Sequence, residues 1–227
     1  MLEMFNLKGI SSNLAKNLSE ELKFNQEKYE VVEYGLHAFF HALLSVILVI
    51  IFGAAFGVLL EALIISFTVS ILRRSSGGAH ASTELSCASI GVVGTVIPAI
   101  ILDSCNINIT YTIIISILIF IVSIYLNYKL APVDSPNKPI RSEKKIKRLK
   151  KGSLITLIIY MIIITLNIFL GVKLNNLSFL VYSLCIAIGT LWQSFTLTKL
   201  GHIVFKLMDS FFIFILFRKG RKQYEKN

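Results

Sequence analysis

Leu36 to Leu72 reads LHAFFHALLSVILVIIFGAAFGVLLEALIISFTVSIL, 37 residues interrupted by one charge, Glu61. A bilayer core takes about 20 helical residues. The run is too long for one span and suits a hairpin of two. Gly53 to Gly57 is the natural place to turn, which predicts spans over 36–53 and 56–72. Gly53-Ala-Ala-Phe-Gly57 also fits the small-xxx-small pattern of close helix contact. Glu61 then lies inside the second span or at its outer end. A charge there costs at least ~2.5 kcal/mol unless it is paired or wet.

Outward from this run the pattern repeats. Cys87 to Leu102, Ile107 to Leu126, Leu154 to Val172 and Leu177 to Leu197 are further apolar stretches. The chain therefore reads as an all-α polytopic membrane protein with about six transmembrane helices. Residues 203–217 are apolar but short, and they contain Lys206 and Asp209. This predicts an interfacial C-terminal helix on whose surface that pair sits three apart. Before the first span, Leu7, Ile10, Leu14, Leu18 and Leu22 recur at helical spacing, with Lys8, Lys16 and Lys23 on the other side. This amphipathic helix either lies on the membrane surface or packs on the rest of the chain. The expected organisation is an amphipathic helix over 1–30, a six-span domain over 31–200, and an interfacial segment with a basic tail over 201–227.

Composition agrees. The 227 residues are 55% hydrophobic and 16% charged, with a net charge of +10 and a mean hydropathy of +0.72. Soluble domains carry about 25% charged residues. Lys129 to Lys151 holds nine Lys/Arg against Asp134 and Glu143, and Arg218 to Asn227 holds five against Glu225. The rest of the chain is close to neutral. Basic segments mark the cytoplasmic side of a membrane protein, so the charge reports topology and does not call for nucleic acid. It places 129–151, the N-terminus, the polar insert 73–86 and the tail at the inner face of the plasma membrane. Three cysteines, Cys87, Cys105 and Cys185, imply no disulfide framework. The polar residues 1–35 do not read as a cleavable signal peptide. His37 and His41 stand four apart, yet no carboxylate or cysteine at matching spacing completes a metal site.

The polar insert carries the chemistry. It reads Arg73-Arg-Ser-Ser-Gly77-Gly78-Ala-His80-Ala-Ser-Thr-Glu84-Leu-Ser-Cys87. A thiolate is a nucleophile, and a nearby His or a helix N-terminus favours its formation. Cys87 stands where the third span begins. In one straight helix, residues seven apart are separated by about 10.5 Å of rise, so residues 77–86 must bend for His80 and Cys87 to meet. Gly77 and Gly78 permit that bend. On spacing alone, an interfacial histidine beside a buried thiol is the simpler explanation of the pair.

The run Arg73-Arg74-x-x-Gly77-Gly78-Ala-His80-Ala-x(5)-Cys87 resembles the signature of the accessory gene regulator B (AgrB) family. Ala131-Pro132-Val133-Asp134-Ser-Pro136-Asn137-Lys138-Pro139-Ile140 is similar to that family's loop after the fourth span. The two blocks and the six-span layout fit from about residue 30 to 198. The resemblance implies a membrane cysteine endopeptidase that removes the acidic C-terminal part of a quorum-sensing pro-peptide of the AgrD type. His80 would be the base and Cys87 the nucleophile. A thioester acyl-enzyme would then yield a cyclic thiolactone peptide, with no metal or organic cofactor. It also implies a homodimer.

Basic side chains at the inner face, Arg73, Arg74, Lys138 and Arg141, with Gly77 and Gly78 between, are candidates for holding the acidic segment. The same charges could serve topology and contact with anionic lipid alone. Glu84 and Glu61 are further candidate site residues. The rival functions are a non-catalytic membrane peptide transporter and a membrane anchor with a basic surface.

Overall fold

The computed structural model describes residues 7–134 and 142–224, with side chains through residue 215. It is all-helical among these residues, and two compact units divide it at Leu48 and Val49.

The first unit is a helical turn. α1 (Leu7–Leu22) buries Leu7, Ser11 and Ala15. Ile10, Leu14 and Leu22, of the predicted leucine stripe, are exposed within this unit. Lys23 adopts φ 50° and ends the helix. α2 (Gln26–Ala55) follows at once, and the Lys28 amide donates to Asn25 Oδ1 at 3.0 Å. The Ser12 and Tyr29 hydroxyls lie 3.2 Å apart and tie the two helices.

The second unit begins in the last turns of α2. The chain reverses where predicted, at Phe56 to Val58, with Gly57 at φ 75°. The small-xxx-small pair divides between the turn and a close helix contact. Gly57 lies in the turn beyond the end of α2, and Gly53 packs against Leu59 across that turn. The glycine pair serves the reversal.

Five more helices with α3 build the bundle: α3 (Leu59–Ser76), α4 (Glu84–Ser104), α5 (Ile109–Leu130), α6 (Glu143–Lys173), α7 (Ser178–Phe195) and α8 (Lys199–Tyr224). α7 is central and packs against α3, α4, α5 and α6. Leu72, Ile119, Phe120, Leu157, Tyr160, Ile164, Ile186 and Ala187 form the core shared by α3, α5, α6 and α7. Polar ties run across it. The Tyr160 hydroxyl donates to the Thr68 carbonyl at 2.9 Å, and Asn127 Nδ2 donates to Ser194 Oγ at 2.9 Å. Each satisfies polar groups that lipid would leave unpaired.

Among the described residues, five helices are long and apolar enough to cross a membrane: α2, α4, α5, α6 and α7. The stretch 56–72, expected as a sixth such span, differs. α3 has 18 residues and carries Glu61 in its first turn and Arg73 and Arg74 in its last. It tolerates them because α4, α6 and α7 pack around it and its charges sit at its two ends.

The contacts also define the two ends of this unit. Gly77 pairs with Val133, Ala79 with Thr196, and Gly152 lies against Ser75. The C-terminal ends of α3, α5 and α7 and the N-terminal part of α6 therefore share one end. The basic start of α6 stands there with the polar insert. Lys144, Lys145, Lys147 and Arg148 are exposed, while Lys150 lies over the Tyr128 ring, 4.4 Å from its centroid.

Candidate active site

The insert leaves α3 through two glycines that its surroundings require. The Gly77 amide donates to the Arg73 carbonyl at 2.9 Å and closes the helix. Gly77 adopts φ 69°, ψ −149°, a region open essentially to glycine alone, and Gly78 adopts φ 136°. The chain then runs between two supports. On one side the Val133 amide donates to the Ser76 carbonyl at 2.9 Å. On the other, Gln193 Nε2 donates to the Gly77 carbonyl at 2.7 Å and to Ser76 Oγ at 3.0 Å. The Ala79 amide donates to the Thr196 carbonyl at 3.3 Å. Gly77 and Gly78, expected to contact substrate, are thus packed against their own chain.

Residues 77–83 are not helical, which meets the bending requirement. α4 restarts at Glu84 with Thr83 as its N-cap, whose hydroxyl accepts from the Ser86 amide at 3.2 Å. The Cys87 amide donates to the Thr83 carbonyl at 3.0 Å. Cys87 therefore stands in the first turns of a capped helix, where the dipole favours negative charge. It is partly accessible, and His80 is exposed on the preceding loop.

Arg73 joins these segments. Its guanidinium donates to the Ala79 carbonyl, which belongs to the peptide linking Ala79 to His80. It also lies 5.8 Å from the centroid of the Phe205 ring. Burial pulls its pKa below the ordinary value, and the charge of the nearby Cys87 sulfur pushes it back up. A cation beside a thiol favours the thiolate. Arg74, expected to act with it, points to the exposed surface.

Arg73→Lys keeps the charge but loses the planar fork that serves the carbonyl and the ring together. It is expected to slow iodoacetamide alkylation of Cys87 at neutral pH. Arg73→Leu should move the alkylation profile further towards high pH, because no cation then favours the thiolate. Mass spectrometry of the Cys87 peptide across a pH series checks both.

Glu84 is the first residue of α4 and stays near the site. Glu61 does not. It is twelve residues before Arg73, about 18 Å along α3. Lys138 and Arg141 lie outside the described residues. Cys105 is exposed at the far end of α4, and Cys185 is buried in α7.

Three contributors escaped the sequence reading. Gln193 and Thr196 of the α7 end hold the glycines. Asp209 of α8 was expected to pair with Lys206. Instead Lys206 is exposed, and Asp209 accepts from Ser82 and Ser86. Its helical position turns it toward α4, where three donors outcompete one solvated ammonium.

Fold and site together define a multi-pass helical membrane protein with a histidine and a cysteine on one clamped segment at the basic end of its bundle. Residues 11–197 match the family model described as accessory gene regulator B, and the chain belongs to that family. It is 39% identical over 208 residues to the putative AgrB-like protein 2 of Clostridium perfringens strain 13, covering 90% of this chain and 97% of that one. It is 28% identical to a putative AgrB-like protein of Listeria welshimeri, covering 81% and 83%. It is 26% identical to the accessory gene regulator protein B of Staphylococcus intermedius, covering 84% and 93%. No solved structure gives a significant match. The family match ends before α8 begins.

Proposed function

We propose that this protein is a membrane cysteine endopeptidase of quorum sensing that processes an AgrD-like precursor peptide at the cytoplasmic face of the plasma membrane. The observation that carries the reading is the local architecture: a non-helical segment over 77–83 presents His80 directly before the Thr83-capped helix start that carries Cys87, and the Arg73 guanidinium holds the peptide bond preceding His80.

The chemistry follows from those residue types. His80 takes the Cys87 thiol proton, and the sulfur attacks the scissile carbonyl. The C–N bond breaks as the leaving amine takes the proton from His80, and the acidic C-terminal part departs. The remaining peptide is held as a thioester. A thiol within the peptide then attacks that carbonyl, returns the proton to Cys87 sulfur through His80, and closes a thiolactone. One thioester replaces another, so the exchange is nearly neutral in free energy and competes with hydrolysis where water is scarce. The chemistry calls on no metal or organic cofactor.

Glu84, the first residue of α4, is the carboxylate proposed to orient His80. Arg74 and the exposed basic residues of α6, together with Lys138 and Arg141 of the intervening segment, are the group proposed to hold the acidic part. The positive-inside bias puts this end in the cytoplasm. The homodimer rests on the family alone.

The test is to trap the acyl-enzyme. Full-length protein in membranes is mixed with an AgrD-like precursor, quenched in acid and digested. The N-terminal fragment of the precursor is expected on the Cys87 peptide, in a bond that hydroxylamine breaks. Cleavage without any adduct at Cys87 under rapid quench would rule out this mechanism.

A further inference from the structure

α8 lies beyond the family match, and the mechanism above does not use it. Its first half nevertheless lies on the site. We propose that Asp209 is a positioning residue of the peptidase, clasping the His80 loop to the helix start that carries Cys87. This rests on the peptidase reading.

The clasp is one carboxylate with three donors. Asp209 Oδ2 accepts from the Ser82 amide at 3.1 Å and the Ser82 hydroxyl at 2.8 Å. Oδ1 accepts from the Ser86 hydroxyl at 2.6 Å. Ser82 stands two residues after His80, and Ser86 immediately precedes Cys87. The bonds therefore straddle the Thr83 cap and fix the angle at which the loop enters α4. Hydrogen bonds to a charged acceptor are about twice as strong as neutral ones, and an anion suits a helix N-terminus. Burial tends to raise the Asp209 pKa, but the Ser86 and Ser82 hydrogen bonds outweigh it and hold the carboxyl below its ordinary range. The carboxylate persists at neutral pH.

A second observation is independent of these bonds. Phe205, Met208 and Phe212 form the apolar stripe on which Asp209 sits, and they pack with Ala79, Ala81, Ile90 and Trp192. Phe205 also covers Arg73. The opposite residues Ile203, Leu207, Phe211 and Phe214 are exposed. α8 thus docks by one face, and the charged group on that face goes to the residues flanking His80 and Cys87. Docking alone would be served by the aromatic stripe.

The experiment compares Asp209→Ala, Asp209→Asn and Asp209→Glu in the full chain, in membranes. One readout is kcat and KM for precursor cleavage. The other needs no precursor: the pH profile of iodoacetamide alkylation, read at the Cys87 peptide by mass spectrometry. Arg73, His80, Glu84 and Asp209 are the charged or titratable residues named at the site, while Arg74 of α3 and His202 and Lys206 of α8 are exposed.

Asp209→Ala is expected to lower kcat by about 10- to 100-fold, the cost of misplacing reacting groups, with little change in KM. It should move alkylation to higher pH, because a loosened helix start and a displaced Arg73 favour the thiolate less. Asp209→Glu should recover part of both. Ser82→Ala and Ser86→Ala should each lower kcat and add little in combination with Asp209→Ala.

Wild-type kcat in Asp209→Ala overturns the proposal. So does a shift of alkylation to lower pH, which mere loss of a negative charge would give. If Asp209→Ala fails to accumulate, the serine variants decide, and wild-type kcat in both overturns it. Should Cys87→Ala protein still cleave the precursor, the peptidase reading fails, while the alkylation profile separately reports whether Asp209 sets the surroundings of Cys87.

Discussion

Membranes containing Cys87→Ala protein are expected to leave an AgrD-like precursor uncut, with no residual cleavage above that of empty membranes. In the proposed mechanism the sulfur is the attacking atom, and nothing else on the segment replaces it. Cys87→Ser retains a proton-bearing nucleophile but lacks the easily formed anion, so it should fall close to the same floor. His80→Ala keeps the sulfur and loses the base, which contributes typically 10²- to 10⁴-fold, so cleavage should fall by about that factor. Cys105→Ser should be silent, because Cys105 is exposed at the opposite end of α4. Immunoblots of the precursor, with the amount of enzyme in the membrane as the control, measure all four. The pattern separates the rival functions. A transporter tolerates loss of either candidate dyad residue, and a basic anchor responds to neutralising residues 141–151 more than to changing Cys87. Normal processing by Cys87→Ala would remove the peptidase reading altogether.

The spans were legible because a bilayer imposes a length and a composition that local sequence must meet. The hairpin turn was legible for the same reason: 37 apolar residues cannot form one span, and glycines mark where they reverse. α3 was less legible as a span, because its character is set by neighbours. Glu61, Arg73 and Arg74 disqualify it as a lipid-exposed span, yet α4, α6 and α7 enclose it.

The candidate segment was legible as residue types and spacing, and so was the need for a bend. Its supports were not. Gln193 binds Gly77 across 116 positions of sequence, and Asp209 binds Ser82 across 127. Long-range partners leave no local pattern. A glutamine near the end of an apolar stretch was one available signal, since an unpaired amide there is costly. For Asp209 the nearby Lys206 offered an i, i+3 partner that the geometry of α8 does not use.

The glycines supply the second large effect, and they separate packing from chemistry. A methyl added at Gly77 would overlap the backbone carbonyl oxygen of Val133, and the Gly77 dihedrals are themselves closed to alanine. No side-chain rotation relieves either conflict. Gly77→Ala must therefore shift residues 76–79 away from Val133, breaking the Gln193 bond and moving the Ala79 carbonyl that Arg73 holds. The strain of the dihedrals costs of order 1–3 kcal/mol. Displacement of the His80 segment should lower cleavage by about 100-fold or more.

Gly78→Ala meets a softer obstacle. Its methyl would stand 2.6 Å from Thr196 Oγ1 and 3.3 Å from Gln193 Nε2, both side-chain atoms. Removing that oxygen with Thr196→Ala should restore part of the activity of Gly78→Ala, leaving the cost of φ 136°. The matching double variant, Gly77→Ala with Val133→Ala, should restore nothing, because the obstacle is backbone. If substrate contact were the main duty of Gly77 and Gly78, both alanine variants would raise KM, and Thr196→Ala would rescue neither. Steady-state kinetics of the four variants decide between a scaffold beneath the dyad and a surface for the peptide, and partial rescue confined to Gly78→Ala is the result expected of the scaffold.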